Sequence, residues 1–111
     1  MDDLQQILHS LDEIESTLTN YDCPEPNPKA LSLVRLLCSR ITGFDSYISE
    51  KASRISTLAG VFYSDRRHAT HPGGASALLT EIAYDLPNRI RGQVTHLRRI
   101  QTERADLNDG E

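Results

Sequence analysis

The chain has 111 residues, which suits a single domain, and its 38% hydrophobic and 25% charged residues suit a soluble protein with a modest core. A net charge of −4 gives no overall pull toward nucleic acid or anionic membrane, and the absence of Trp argues against a large aromatic pocket. No apolar run of about 18 residues is present to span a bilayer, and no basic stretch leading into an apolar core opens the chain, so no secretory signal is read.

Residues 3–20 predict the first helix. Asp3 can cap it, with Gln6 three positions on as its capping-box partner. Leu4, Ile7, Leu11, Ile14 and Leu18 then fall on one face at heptad spacing, while Gln5, Asp12, Glu13, Ser16 and Thr17 take the other. Residues 21–27 contain Pro24 and Pro26 and lead into Pro28, so the chain is biased out of the helical region and forms a connector.

The organising stretch runs from residue 28 to 64. Asn27 followed by Pro28 is a strong helix opening, because Asn accepts a bond from an orphan N–H and Pro is tolerated at the first helical position. Val34, Leu37, Ile41, Phe44, Ile48, Ile55, Leu58 and Phe62 recur at three- and four-residue steps, broken only at Lys51. Leu31, Leu33, Leu36 and Cys38 widen the stripe, so the first half is expected to touch two neighbours. One helix of this length would be roughly 50 Å long. Gly43 and Gly60 are its weak points, each costing about 1 kcal/mol relative to Ala.

Residues 65–74, DRRHATHPGG, predict a tip loop in which Pro72, Gly73 and Gly74 permit a tight reversal. A third helix is expected over residues 75–105, with Leu78, Leu79, Ile82, Leu86, Ile90, Val94 and Leu97 on its apolar face. Pro87 falls where that spacing slips and predicts a kink. Residues 106–111 should fray.

These lengths predict an all-α fold: a long antiparallel helical hairpin with the shorter N-terminal helix packed on its base, a three-helix bundle in a single domain over residues 1–111. Asp12, Glu13 and Glu15 would then lie level with Arg98 and Arg99. The distal half of such a hairpin has no third helix. Ile48, Ile55, Leu58 and Phe62 would face Leu78, Leu79, Ile82 and Leu86 in an incompletely covered ribbon. Burying one such side chain stabilises by roughly 1.5–3 kcal/mol, so this surface is expected to form a homodimer or to receive a partner helix. The alternative is a bend at Gly43, Gly60 or Pro87 that gathers the chain into a monomeric bundle.

Charge is unevenly spread. Residues 1–28 carry seven acids and no Lys or Arg, whereas residues 66–104 carry seven Arg and three acids. In the tip, Arg66, Arg67, His68 and His71 beside a glycine pair suggest an anion cradle, and the exposed tip from Tyr63 to His71 is expected to supply specificity toward a partner. The glycine pattern matches neither the P-loop nor the dinucleotide fingerprint. His68, His71 and Asp65 fall short of a zinc set. No nucleophile elbow, HExxH or inward Glu-x-x-His pair is present, so neither an enzyme nor a cofactor is expected. Arg89, Arg91, Arg98, Arg99 and Arg104 could grip phosphates, but the aromatic interleaving of a single-strand platform is missing. Cys23 and Cys38 are expected to be free thiols in a reducing, cytoplasmic setting. The functional expectation is a non-enzymatic interaction protein (adaptor, chaperone or small inhibitor). The alternative is a nucleic-acid- or anion-binding regulator using the tip and the third-helix arginines.

Overall fold

A computed structural model describes the backbone of residues 3–109 and the side chains of residues 3–104. Among the described residues all regular structure is helical, and the helices form four rods rather than three. The first is α1, Asp3–Asn20, which buries Leu4, Ile7, Leu11, Ile14 and Leu18 as the heptad spacing requires. The connector follows. α2, Pro28–Ile41, opens as Asn27 and Pro28 predict, with the Ala30 N–H donating to Asn27 Oδ1 at 3.1 Å.

The long helix predicted over residues 28–64 is two helices. α2 stops at Ile41, Gly43 takes a left-handed φ of +89°, and α3 starts at Ser46 and runs to Phe62. Both broken ends are satisfied locally. The Ile48 N–H donates to the Asp45 carboxylate at 3.0 Å, and the Gly43 N–H donates to Ser49 Oγ at 2.8 Å. An orphan donor at a new helix start is the main local penalty of breaking a helix, and Asp45 removes it. The other suspected weak point, Gly60, stays helical. Its bare surface is where Arg35 lies, since a Cβ there would come within 2.6 Å of Arg35 Nη2.

A short 3₁₀ turn, Arg67–Thr70, crosses the tip, and the fourth rod begins at Gly74. This rod is α4, Gly74–Thr80, a π-turn over Glu81–Asp85, and α5, Leu86–Asp109, with no break between them. The predicted kink at Pro87 is instead this π-turn, closed by the Leu86 N–H donating to Glu81 O. Pro87 lacks an N–H and its ring would strike the carbonyl four residues back in a regular helix. A wider turn relieves both problems without ending the rod. Helix continues to Asp109, past residue 105, because no Gly or Pro intervenes before Gly110. Of the tail expected to fray at 106–111, residues 110 and 111 lie outside the described residues.

Neighbouring rods in the chain are neighbours in space, and α5 closes the ring against α1. The rods alternate in direction. Tyr63 at the end of α3 donates its hydroxyl to Tyr21 O at the end of α1 (2.8 Å), so α1 and α3 run parallel. Arg91 of α5 lies 3.1 Å from Asp12 and 3.0 Å from Glu15, and Arg98 donates to Gln5 at 3.0 Å, so α5 runs antiparallel to α1. The acids of α1 thus meet Arg91 rather than Arg98 and Arg99, about two turns away from the predicted register. With α3 folded back, α1 aligns with α3 and not with the base of a long hairpin.

The corner at Gly43 removes the uncovered ribbon. Ile48, Ile55, Phe62, Leu78, Ile82 and Leu86 are all buried within the chain, and Leu58 and Leu79 are half-buried against the same core. The molecule measures 60 × 25 × 20 Å. Its long axis reflects the fourth rod, whose 36 residues from 74 to 109 span roughly 54 Å. The side of α5 that outruns the other helices is polar, with Arg99, Gln101, Thr102, Glu103 and Arg104 exposed.

Candidate interaction surface

Among the described residues, the large apolar side chains other than tyrosines that remain in water lie on α2 and the corner after it. Leu33 is 41% exposed, Leu36 50% and Phe44 43%. These values matter because the same helix buries Val34, Leu37 and Ile41 almost completely. Lys29, Leu33, Leu36 and Arg40 are spaced four, three and four residues apart, which places them in one stripe along the outer face of the helix. At the lower end of the stripe, Arg40 and Phe44 border a cleft of about 300 Å³ with Asp3, Gln6 and Ile7 of α1.

α2 itself is one-signed, although Asp3 of α1 lines the cleft beside Arg40. α2 carries Lys29, Arg35 and Arg40 and no acid. None of these cations lies within 4.0 Å of a carboxylate among the described residues, and three of the four acids of α1 are engaged elsewhere. Asp12 and Glu15 face Arg91, and Glu13 meets His9 at 2.7 Å. The remaining exposed aromatics are dispersed: Tyr21 is on the connector, Tyr84 is on the π-turn, and Tyr47 lies under the Lys51 ammonium, 5.1 Å from its ring centre.

The tip residues are only partly gathered. Tyr63 is buried, stacks edge-on against Phe62 with ring centres 5.1 Å apart, and bonds Tyr21 O. Burial, helped by Asp22 and Tyr21, pushes its phenol up to about 12. It therefore ties two helix ends together and does not face a ligand. Arg66 and Arg67 are exposed, and His68 and His71 are half-buried. Gly73 and Gly74 do adopt the left-handed conformations that the reversal needs, at φ +84° and +78°. However, the Gly74 N–H is already taken by His71 O at 2.8 Å, so the start of α4 is partly capped by the chain itself.

The arginines of the fourth rod divide. Arg91 and Arg98 turn toward α1, while Arg89, Arg99 and Arg104 are exposed. A second charged cleft, of about 330 Å³, lies between α3 and the π-turn, where Lys51, Arg54 and Arg89 are balanced by Glu50, Glu81 and Asp85. Arg54 and Glu81 are 3.0 Å apart across it. Cys23 is exposed and Cys38 buried, both as free thiols; burial pushes Cys38 up to about 12 against a smaller opposing pull from Arg35. A thiol that weakly acidic is not a nucleophile at neutral pH. Among the described residues no group of three or more His, Cys, Asp or Glu is placed to hold a metal ion, and no helix is long and apolar enough to cross a membrane.

The stripe on α2 was legible as residues but not as a surface. Leu33 and Leu36 read as a widening of the core stripe, and only the basic, acid-free character of residues 28–41 marks them as different. Comparison of the chain with protein families, with curated proteins and with solved structures gives no match.

Proposed function

We propose that this chain is a non-enzymatic protein–protein interaction module whose contact surface is the outer face of α2 together with Phe44. The observation that carries this reading is the row Leu33, Leu36 and Phe44, exposed in a molecule that otherwise buries its large aliphatic seam. Two surface leucines alone would be unremarkable. Here they share a stripe with Lys29 and Arg40, which have no ion-pair partner among the described residues, on a helix bearing no acid. Such a stripe is suited to a groove-and-helix contact, in which apolar anchors at helical spacing supply affinity and flanking charges supply specificity.

The seam of Ile48, Ile55, Phe62, Leu78, Ile82 and Leu86 has its partners inside the chain, so association of two copies would have to use another face. The nucleic-acid alternative loses Arg91 and Arg98 to contacts with α1 and retains the exposed Arg66, Arg67, Arg89, Arg99 and Arg104. Two free thiols, one of them exposed, suit a reducing compartment such as the cytoplasm.

The test is capture from the native cell by the tagged full chain, compared with two variants. Leu36→Asp lies on a half-exposed site and should leave the melting curve nearly unchanged. It is expected to abolish the specifically retained proteins, whereas Arg66→Ala with Arg67→Ala is expected to keep them. The reverse pattern would transfer the function to the tip.

A further inference from the structure

We infer that the partner of the α2 face is an acidic amphipathic helix belonging to another protein. The inference rests on the interaction-module reading and adds the chemistry of the partner. Along the stripe, Lys29 and Arg40 flank Leu33 and Leu36, with Phe44 and its cleft, where Asp3 of α1 is the one acid, closing one end. Arg35, laid across the bare surface of Gly60, adds a third cation on the α3 side. An occupant must therefore bring an apolar seam at helical spacing and carboxylates on its borders.

A second copy of this chain fits poorly. Two α2 faces set against each other would oppose Lys29, Arg35 and Arg40 with the same residues, which disfavours pairing. The acidic α1 of another copy does not serve either, because its exposed positions, including Gln5, His9, Asp12, Ser16 and Thr19, offer no large apolar side chain. Its apolar seam is spent on the core. The chain nonetheless shows the favoured arrangement internally: α1, a helix with four acids and no Lys or Arg, sets Asp12 and Glu15 against Arg91 of α5.

The experiment uses the full isotope-labelled chain and two synthetic 18-residue amphipathic peptides with the same leucine seam. One seam is bordered by Glu and the other by Lys. The Glu peptide is expected to shift the amide signals of residues 29–44 and to bind about tenfold tighter than the Lys peptide, as two or three exposed charge pairs allow. Lys29→Glu with Arg40→Glu should invert that preference, and Leu36→Asp should remove binding of both. Equal binding of the two peptides, tighter binding of the Lys peptide, shifts confined to the tip, or no shifts at about 1 mM peptide would overturn the inference. So would uptake of the chain onto phosphatidylglycerol vesicles without Glu-peptide binding, which would assign the face to an anionic lipid surface. If acid preference fails while Leu36→Asp still abolishes cellular capture, the interaction module stands and only the partner's chemistry is wrong. If Leu36→Asp leaves capture intact, the module reading itself falls.

Discussion

The α2–α3 corner and the π-turn at Glu81–Asp85 lie at or beside two helix-disrupting residues inside predicted helices, Gly43 and Pro87, and these come out in the opposite order from propensity. Proline disfavours a helix interior by about 3 kcal/mol and glycine by about 1 kcal/mol. Yet the chain reverses at Gly43 and runs on through Pro87. The difference lies in what the neighbours offer. Around Gly43, Asp45 supplies a cap for a new helix and Ser49 takes the freed N–H, so two helix ends are stable in place of one continuous helix. Around Pro87 there is no cap, and the buried residues on both sides, Ile82, Ala83, Leu86 and Ile90, hold both segments to one core. A local cap decided the first case and packing on the core the second, not the breaker residue alone.

That comparison is most exposed at Gly43. Gly43→Val puts a β-branched residue at φ +89°, with no atom within 4 Å of the new Cβ to complicate the outcome. The cost is then purely backbone, about 2 kcal/mol, read as a fall in Tm of about 10 °C. An unchanged Tm would mean that the corner does not need its left-handed residue. Asp45→Ala comes next. It removes the cap on Ile48 and the 3.4 Å contact from Gln93 of α5, and should lower stability by about 1 kcal/mol in urea titration. A loss much below that would show that packing of α3, and not its cap, holds the corner.

The fold was legible wherever a signal was local and complete. Asn27 with Pro28 marks the start of α2, and the five-residue seam from Leu4 to Leu18 marks the buried face of α1. The error over residues 28–64 arose because Ile41, Phe44 and Ile48 keep helical spacing straight through the corner. Phe44 was counted in that seam, and it is 43% exposed. Gly43 reads as a weak point and as one place for a bend, and the cue that singles it out is Asp45, a helix-starting acid two residues after a helix-ending glycine. Once that corner is missed, a three-rod hairpin with an uncovered ribbon follows by sound arithmetic, and the candidate surface is drawn on residues that belong to the core. The exposed row on α2 could not be read until the core was known, because Leu33 and Leu36 differ from Val34 and Leu37 only in the direction they face.

Tyr63 probes a consequence of the corner, since its bond to Tyr21 O exists only because α3 returns parallel to α1. Tyr63→Phe should cost up to about 1 kcal/mol at neutral pH. Its pH dependence carries a definite sign. The folded phenol sits at about 12, above its usual value of 10.0. The unfolded chain therefore gives up this proton first, and the contribution of Tyr63 is complete below pH 10 and declines as pH rises toward 12. Denaturant midpoints across that alkaline range should fall more steeply for the native chain than for Tyr63→Phe. Parallel curves would mean that the phenol is not held in its neutral form.

The smallest expected effect is the most discriminating for the π-turn. Leu78, Ile82, Leu86, Ile90 and Val94 are spaced four apart and all buried. In a regular helix each step of four overshoots a full turn by about 40°, so five such positions would wind well away from one core. A π-turn winds the chain back by taking more residues per turn. Two causes thus coincide, the ring of Pro87 and the four-residue seam. Pro87→Ala separates them, because it restores an N–H donor while leaving the seam intact. Expected is a stability change within about 0.5 kcal/mol, with the Leu86 amide still bonded to Glu81 O in hydrogen exchange and in backbone chemical shifts. Reversion of residues 81–85 to regular helix would assign the turn to the proline alone, and it would have to come with disturbed packing of either Leu78 and Ile82 or Ile90 and Val94, since a straight rod cannot keep both pairs on the same side.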